Sequence, residues 1–99
     1  MVKYVMNDGL SLFEEVVANE TITTDPPSIA AGATATVDFA VPGAALGDYV
    51  LIAPPYDFGG LEPGTPYVSA ADTVSLTLRN NTGGAIDLAS GGWKVKVLR

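Results

Sequence analysis

Two segments near the end of the chain alternate strictly between apolar and polar side chains, and they constrain the fold more than any other feature. In the first, Val74, Leu76 and Leu78 alternate with Ser75, Thr77 and Arg79. In the second, Trp93, Val95 and Val97 alternate with Lys94 and Lys96. A period of two sends successive side chains to opposite faces of a β-sheet. The two segments therefore predict strands of an antiparallel sheet with one buried face and one solvent face.

Shorter apolar or β-branched runs upstream predict further strands. They cover residues 21–24, 33–41, 48–53 and 67–70, and the last of them turns at Ala71-Asp72 into the segment 73–79. Seven prolines and eleven glycines suit short strands joined by turns better than they suit helices. We therefore expect an all-β fold, a small antiparallel β-sandwich or barrel of about six or seven strands.

Two interpretations of the first twenty residues are open. Apolar residues recur at every second position from Val2 to Met6, which favours a strand. Ser11 and Glu14 have the spacing of a capping box, which favours a short helix over residues 12–18.

The chain is accordingly predicted to have two parts. Residues 1–20 form an N-terminal arm, and residues 21–99 form the β-sandwich domain. An arm with several large apolar groups is not expected to float free in water. It therefore either supplies the first strand of the domain or reaches onto a partner.

The absence of cysteine and histidine excludes much catalytic and metal-binding chemistry. These residues supply the thiol nucleophile, the usual general base and the usual zinc ligands. We therefore expect no enzymatic activity, no cofactor and no metal site. A net charge of −6 without a basic stripe argues against nucleic-acid binding. The lack of a run of about 18 apolar residues argues against a membrane span.

The aromatic residues offer one candidate ligand surface. Trp93 shares the phase of the alternating valines that follow it, which places it on the core face. The loop of residues 54–66 contains four prolines and three glycines, and it is expected to expose Tyr56 and Phe58. With Tyr67 these two residues form a possible sugar-stacking platform, so a glycan-binding module is an alternative function.

Three stretches of the sequence resemble a small domain that is common in the genomes of tailed bacteriophages and prophages. They are GAALGDYV (residues 43–50), YVSAADTVSL (67–76) and NNTGGAIDLASGGWKVKV (80–97), and the resemblance extends over residues 26–98. It implies a structural virion component, in particular a capsid decoration (cement) protein on the outside of the head. Such proteins are commonly β-rich and often homotrimeric.

Two contact surfaces follow from this resemblance and from the apolar residues. The arm is expected to bind the major capsid protein through Val2, Tyr4, Leu12 and Phe13. The segment 48–53 is nearly all apolar, which is typical of a strand buried on both faces or at a subunit contact. This segment and the loop after it are expected to bind sister subunits through Tyr49, Leu51, Tyr56 and Phe58.

The expected location is the capsid exterior of a virion, after synthesis in the host cytoplasm. The alternatives are a glycan-binding module of a phage head or tail fibre and a structural subunit of the tail or neck.

Overall fold

The computed structural model describes the backbone of residues 2–5 and 11–99 and the side chains of residues 15–99. The described residues form eight strands: β1 (Val2–Val5), β2 (Ser11–Thr24), β3 (Thr34–Ala40), β4 (Tyr49–Ala53), β5 (Leu61–Pro63), β6 (Tyr67–Ala70), β7 (Thr73–Asn80) and β8 (Gly91–Leu98). None of the described residues is helical. The predicted all-β class is confirmed.

The strands form two antiparallel sheets that pack face to face. The first sheet has the order β1-β2-β8-β4. In the second sheet β7 is central, with β3 on one side and both β5 and β6 on the other, at different positions along its length. Buried residues of the two sheets make one core between them. The predicted β-sandwich is therefore confirmed.

The core residues come from the positions that the alternation predicts. Val74, Leu76 and Leu78 of β7 are buried, as are Trp93, Val95 and Val97 of β8 and Val37 and Phe39 of β3. Full burial of an apolar side chain of this size contributes about 1.5–3 kcal/mol. The ring of Trp93 lies 5.6 Å from that of Phe39 on the opposite sheet, measured between centroids. Trp93 is thus a core residue that joins the two layers.

Strand β2 is long because it pairs with two different strands. Its residues 11–16 pair with β1, and its residues 16–24 pair with β8. Residues 12–18 are thus strand in the structure, where the capping-box spacing favoured a short helix. Residues 16 and 18 complete the hydrogen-bond ladder of β8, whereas so short a helix has little stability of its own. The division at residue 20 also falls inside β2, so the first sheet of the sandwich begins before residue 21.

Two other strands differ from the sequence prediction. Strand β5 lies inside the segment that was expected to be loop, and it is too short to show an alternating pattern. Strand β4 was expected to be buried on both faces or at a subunit contact. Within this chain it lies at the edge of the first sheet, where Val50 and Ile52 are partly buried and Tyr49 and Leu51 are exposed.

Candidate functional site

Among the strands of residues 15–99, whose side chains the structure describes, β4 exposes the most large apolar side chains. Tyr49 is 63% exposed and Leu51 is 59% exposed, and both lie on the face that points away from the core. Leu46, in the turn before β4, is 71% exposed. We refer to Leu46, Tyr49 and Leu51 together as the β4 edge. Sequence reasoning identified the last two and missed Leu46, because a leucine in a turn has no periodic context.

Strand β4 has few of the features that protect an edge strand from pairing. Among the described strands it pairs with β8 alone, in a regular register from Tyr49 to Ala53. Its five residues include no charge and no proline. Edge strands that avoid association usually carry a charge, a proline or a bulge. The β4 edge therefore lacks these protective features and is a candidate contact surface.

Basic side chains lie beside the β4 edge on the same outer face. Leu51 is in register with Lys96, and Ala53 is in register with Lys94. Together with Asn19 of β2 they line a shallow groove of about 250 Å³. A surface that combines apolar contacts with carboxylates is complementary to this groove.

An ion-pair cluster fixes the turn that carries Leu46. The Arg99 guanidinium donates to both carboxylate oxygens of Asp48, with Nε–Oδ1 at 3.0 Å and Nη2–Oδ2 at 2.9 Å, and to the carbonyl oxygen of Gly43 at 3.3 Å. Its Nη1 lies 3.7 Å from a carboxylate oxygen of Glu15. The hydrogen bonds from Arg99 lower the pKa of Asp48 below its ordinary value. The cluster thereby ties the turn before β4 to the ends of β2 and β8.

A second candidate surface is the two-stranded ribbon of β1 and the first residues of β2. The backbone register sets Val2 opposite Val16 and Tyr4 opposite Phe13. The four predicted capsid-contact residues, Val2, Tyr4, Leu12 and Phe13, all lie in these two strands. The pairing of β2 with β8 starts at Val16, preceded by two backbone hydrogen bonds between Glu15 and Arg99. Residues 11–14 therefore extend about 13 Å past the end of β8.

The other two predicted subunit-contact residues lie elsewhere. Tyr56 and Phe58 are half-buried, and their rings pack against Trp93 with centroid distances of 5.9 and 5.8 Å. The Tyr56 hydroxyl donates to the carbonyl oxygen of Ala89 at 2.6 Å. The expectation that both are exposed is wrong, because the loop folds back onto the open end of the core. Tyr67 lies on β6 of the second sheet, so the three aromatics of the predicted sugar platform are not brought together.

Neither a metal cluster nor a membrane span is found in the described part of the chain. The described side chains, those of residues 15–99, include no group of three or more histidine, cysteine, aspartate or glutamate residues placed to hold a metal ion. The same residues contain no helix that is long and apolar enough to cross a membrane.

Comparisons with known proteins give no match. No family model matches the sequence, no curated protein is significantly similar to it, and no solved structure matches it significantly.

Proposed function

We propose that this protein is a capsid decoration protein of a tailed bacteriophage, a non-catalytic subunit that binds the outside of the head and stabilises the shell. In this proposal the ribbon of β1 and β2 binds the major capsid protein. The β4 edge binds sister subunits of a homotrimer. The resemblance of residues 26–98 to a phage domain supports this choice among structural roles.

The observation that carries the proposal is the separation of two candidate contact surfaces on one small sandwich. The β4 edge and β1 lie at opposite ends of the first sheet. A subunit with one such surface can bind a single partner, whereas a subunit with two can hold the shell and a sister copy at once. This arrangement suits a protein that links the subunits of a lattice.

Stabilisation of a shell needs binding and no reaction. A protein that binds only the assembled shell opposes disassembly by mass action. Three linked copies bind as one unit, so that three weak contacts give a strong attachment. The rigid sandwich provides a fixed geometry between the two surfaces.

The role of the β4 edge is tested by the mass of the protein in solution. We expect the unmodified chain to have a mass of three times 10.2 kDa, or 30.6 kDa, by size-exclusion chromatography with light scattering. The double variant Tyr49→Ser/Leu51→Ser is expected to have the mass of a single chain. Tyr67→Ser is the matched control, since Tyr67 is also an exposed tyrosine but belongs to the other sheet. Dissociation of the control as well, or a single-chain mass for the unmodified protein at every concentration, would contradict this role.

The role of the ribbon is tested by binding to phage heads. Deletion of residues 1–10 removes β1 and leaves the pairing of β2 with β8 intact. We expect the deleted protein to keep its solution mass and to lose co-sedimentation with heads from phage particles that carry this gene. Undiminished co-sedimentation would show that the capsid contact lies elsewhere.

A further inference from the structure

The outer face of the second sheet is a separate surface that neither proposed contact uses. It presents polar side chains from three strands and the aromatic ring of Tyr67 from a fourth; the polar residues are Thr34, Thr36, Asp38, Glu62, Thr77 and Arg79. Tyr67 is 51% exposed. A solvent-facing sheet carries polar residues, and here an aromatic ring lies on the same face as them.

A groove crosses this face beside β5. It has a volume of about 350 Å³ and is lined by Thr34, Glu62, Pro63, Gly64, Thr77 and Arg79. Gly64 lies against the strand here, with its amide donating to the carbonyl oxygen of Thr77 at 2.8 Å. The short strand β5 therefore forms one wall, and the side chains of β7 and β3 form the floor.

A chain of hydrogen bonds holds the two charged groups of the groove in place. Arg79 Nε donates to Asn81 Oδ1 at 3.0 Å, and Asn81 Nδ2 donates to Glu62 Oε2 at 2.9 Å. Among the described residues, the terminal nitrogens of Arg79 and the second carboxylate oxygen of Glu62 have no hydrogen-bond partner. A strong donor pair and a strong acceptor are thus fixed side by side and open to a ligand.

Hydroxyl groups connect this groove with Tyr67. The hydroxyls of Thr36 and Thr77 lie 3.3 Å apart. Tyr67 is in register with Ser75, whose hydroxyl lies 2.6 Å from Asp38 Oδ1. Tyr67 is thus level with Ser75, and the Cα atoms of Ser75 and Arg79, four residues apart on β7, are separated by about 13 Å. The polar row between them matches the length of a short oligosaccharide.

We propose that this face binds a neutral oligosaccharide, with one sugar stacked on Tyr67 and another hydrogen-bonded by Arg79 and Glu62. An aromatic ring offers its face to the apolar side of a sugar. Adjacent donors and acceptors match the hydroxyl groups of the sugar, which both donate and accept. Arg79 and Glu62 neutralise each other, and Asp38 adds one negative charge, so an anionic sugar is disfavoured. The inference does not depend on the proposed role at the capsid.

The test begins with the full-length protein on an array of neutral and anionic oligosaccharides. The best neutral oligosaccharide is then titrated against the protein in solution, where a single-site affinity is free of avidity. We expect Tyr67→Ala to weaken that affinity about tenfold or more. Tyr67→Phe is the matched control, because it keeps the aromatic ring that the sugar stacks on, and it is expected to change the affinity little. The fluorescence of Trp93, which is buried, verifies that each variant is folded.

A second variant separates neutral from anionic ligands. Glu62→Gln keeps an oxygen that accepts from Asn81 and removes the negative charge. We expect it to weaken a neutral sugar, because an uncharged amide is a poorer acceptor than a carboxylate. Three results would overturn the proposal. The first is that no neutral oligosaccharide binds, and the second is that the main effect of Glu62→Gln is to tighten the binding of an anionic oligosaccharide. The third is that Tyr67→Ala and Tyr67→Phe lose the same affinity, which would exclude stacking on the ring.

Discussion

Replacement of Asn80 by alanine tests how much one buried amide contributes to this fold. Asn80 ends β7 in the phase of the core and is fully buried. Its Nδ2 donates to the carbonyl oxygens of Ile29 at 2.8 Å and Gly84 at 2.9 Å. Its Oδ1 accepts from the backbone nitrogen of Thr82 at 2.9 Å and from the Thr82 hydroxyl at 2.6 Å. Both amide hydrogens and both oxygen lone pairs are used, which joins the loop before β3 to the turn after β7.

The magnitude of the loss follows from these four bonds. Each contributes about 0.5–1.5 kcal/mol net, so together they contribute about 2–6 kcal/mol. Two of the carbonyl partners keep another donor after truncation, since Ile29 also accepts from the nitrogen of Ile86 and Gly84 from the Thr82 hydroxyl. We therefore expect a loss of about 2–4 kcal/mol in the free energy of unfolding. For a domain of this size the Tm falls by about 10–20 °C.

Urea denaturation followed by the fluorescence of Trp93 measures this loss, because the chain has one tryptophan and it is buried in the core. The matched control is Asn81→Ala, the neighbouring exposed asparagine, for which we expect a change within about 0.5 kcal/mol. Asn80→Asp has the same shape but replaces the donor with an oxygen that faces two carbonyls. It is expected to lose more stability at neutral pH than at acid pH, where a protonated carboxyl can donate. If Asn80→Ala were no less stable than Asn81→Ala, the assigned role of this network would be refuted.

Three further changes have defined outcomes. Asp72 has a left-handed φ of 62° and accepts a hydrogen bond from the nitrogen of Gly43 at 2.8 Å. In thermal melts we expect Asp72→Asn to be close to the original protein in stability, and Asp72→Ala to be about 1–2 kcal/mol less stable. A Cβ on Gly91 would lie 2.6 Å from Cγ of Pro55, so Gly91→Ala is expected to cost about 1–3 kcal/mol, and an unchanged urea midpoint would contradict this packing. Arg99 lowers the pKa of Asp48, so the ion pair stabilises the fold at pH values above the ordinary aspartate pKa of 3.8 and loses this effect as the pH falls through the lowered pKa. The Tm difference between the original protein and Arg99→Gln is expected to disappear in that acid range. A Tm difference that does not depend on pH would contradict the ion pair.

The core could be predicted from the sequence because it depends on local periodicity. The alternation in β7 and β8 identified six core positions, and all six are buried. The same rule failed where a distant partner decides the environment. Asn80 follows the alternating segment and is polar, so the pattern predicts no burial there, yet it is buried because Ile29 and the following turn satisfy its amide. Ser75 lies at a position that the alternation predicts to be exposed, but contact with Asp38 and the pairing of β6 with β7 bury it.

The contact surfaces could be predicted only in part, for the same reason. Tyr49 and Leu51 were identified from a run of apolar residues, and they are exposed because β4 lies at the edge of its sheet. Tyr56 and Phe58 lie in a loop rich in proline and glycine, where exposure is the usual expectation. Their burial depends on Trp93, which is more than thirty residues away and closes the same end of the core. No local pattern reports a contact of that range.

The most direct test of the central claim is the location of this protein on intact phage particles that carry its gene. Cryo-electron microscopy of particles labelled with an antibody against the folded protein gives that location. The account predicts label on the outside of the head, in groups of three copies at regular lattice positions. Label confined to the tail or fibres, or particles that carry no label, would contradict it.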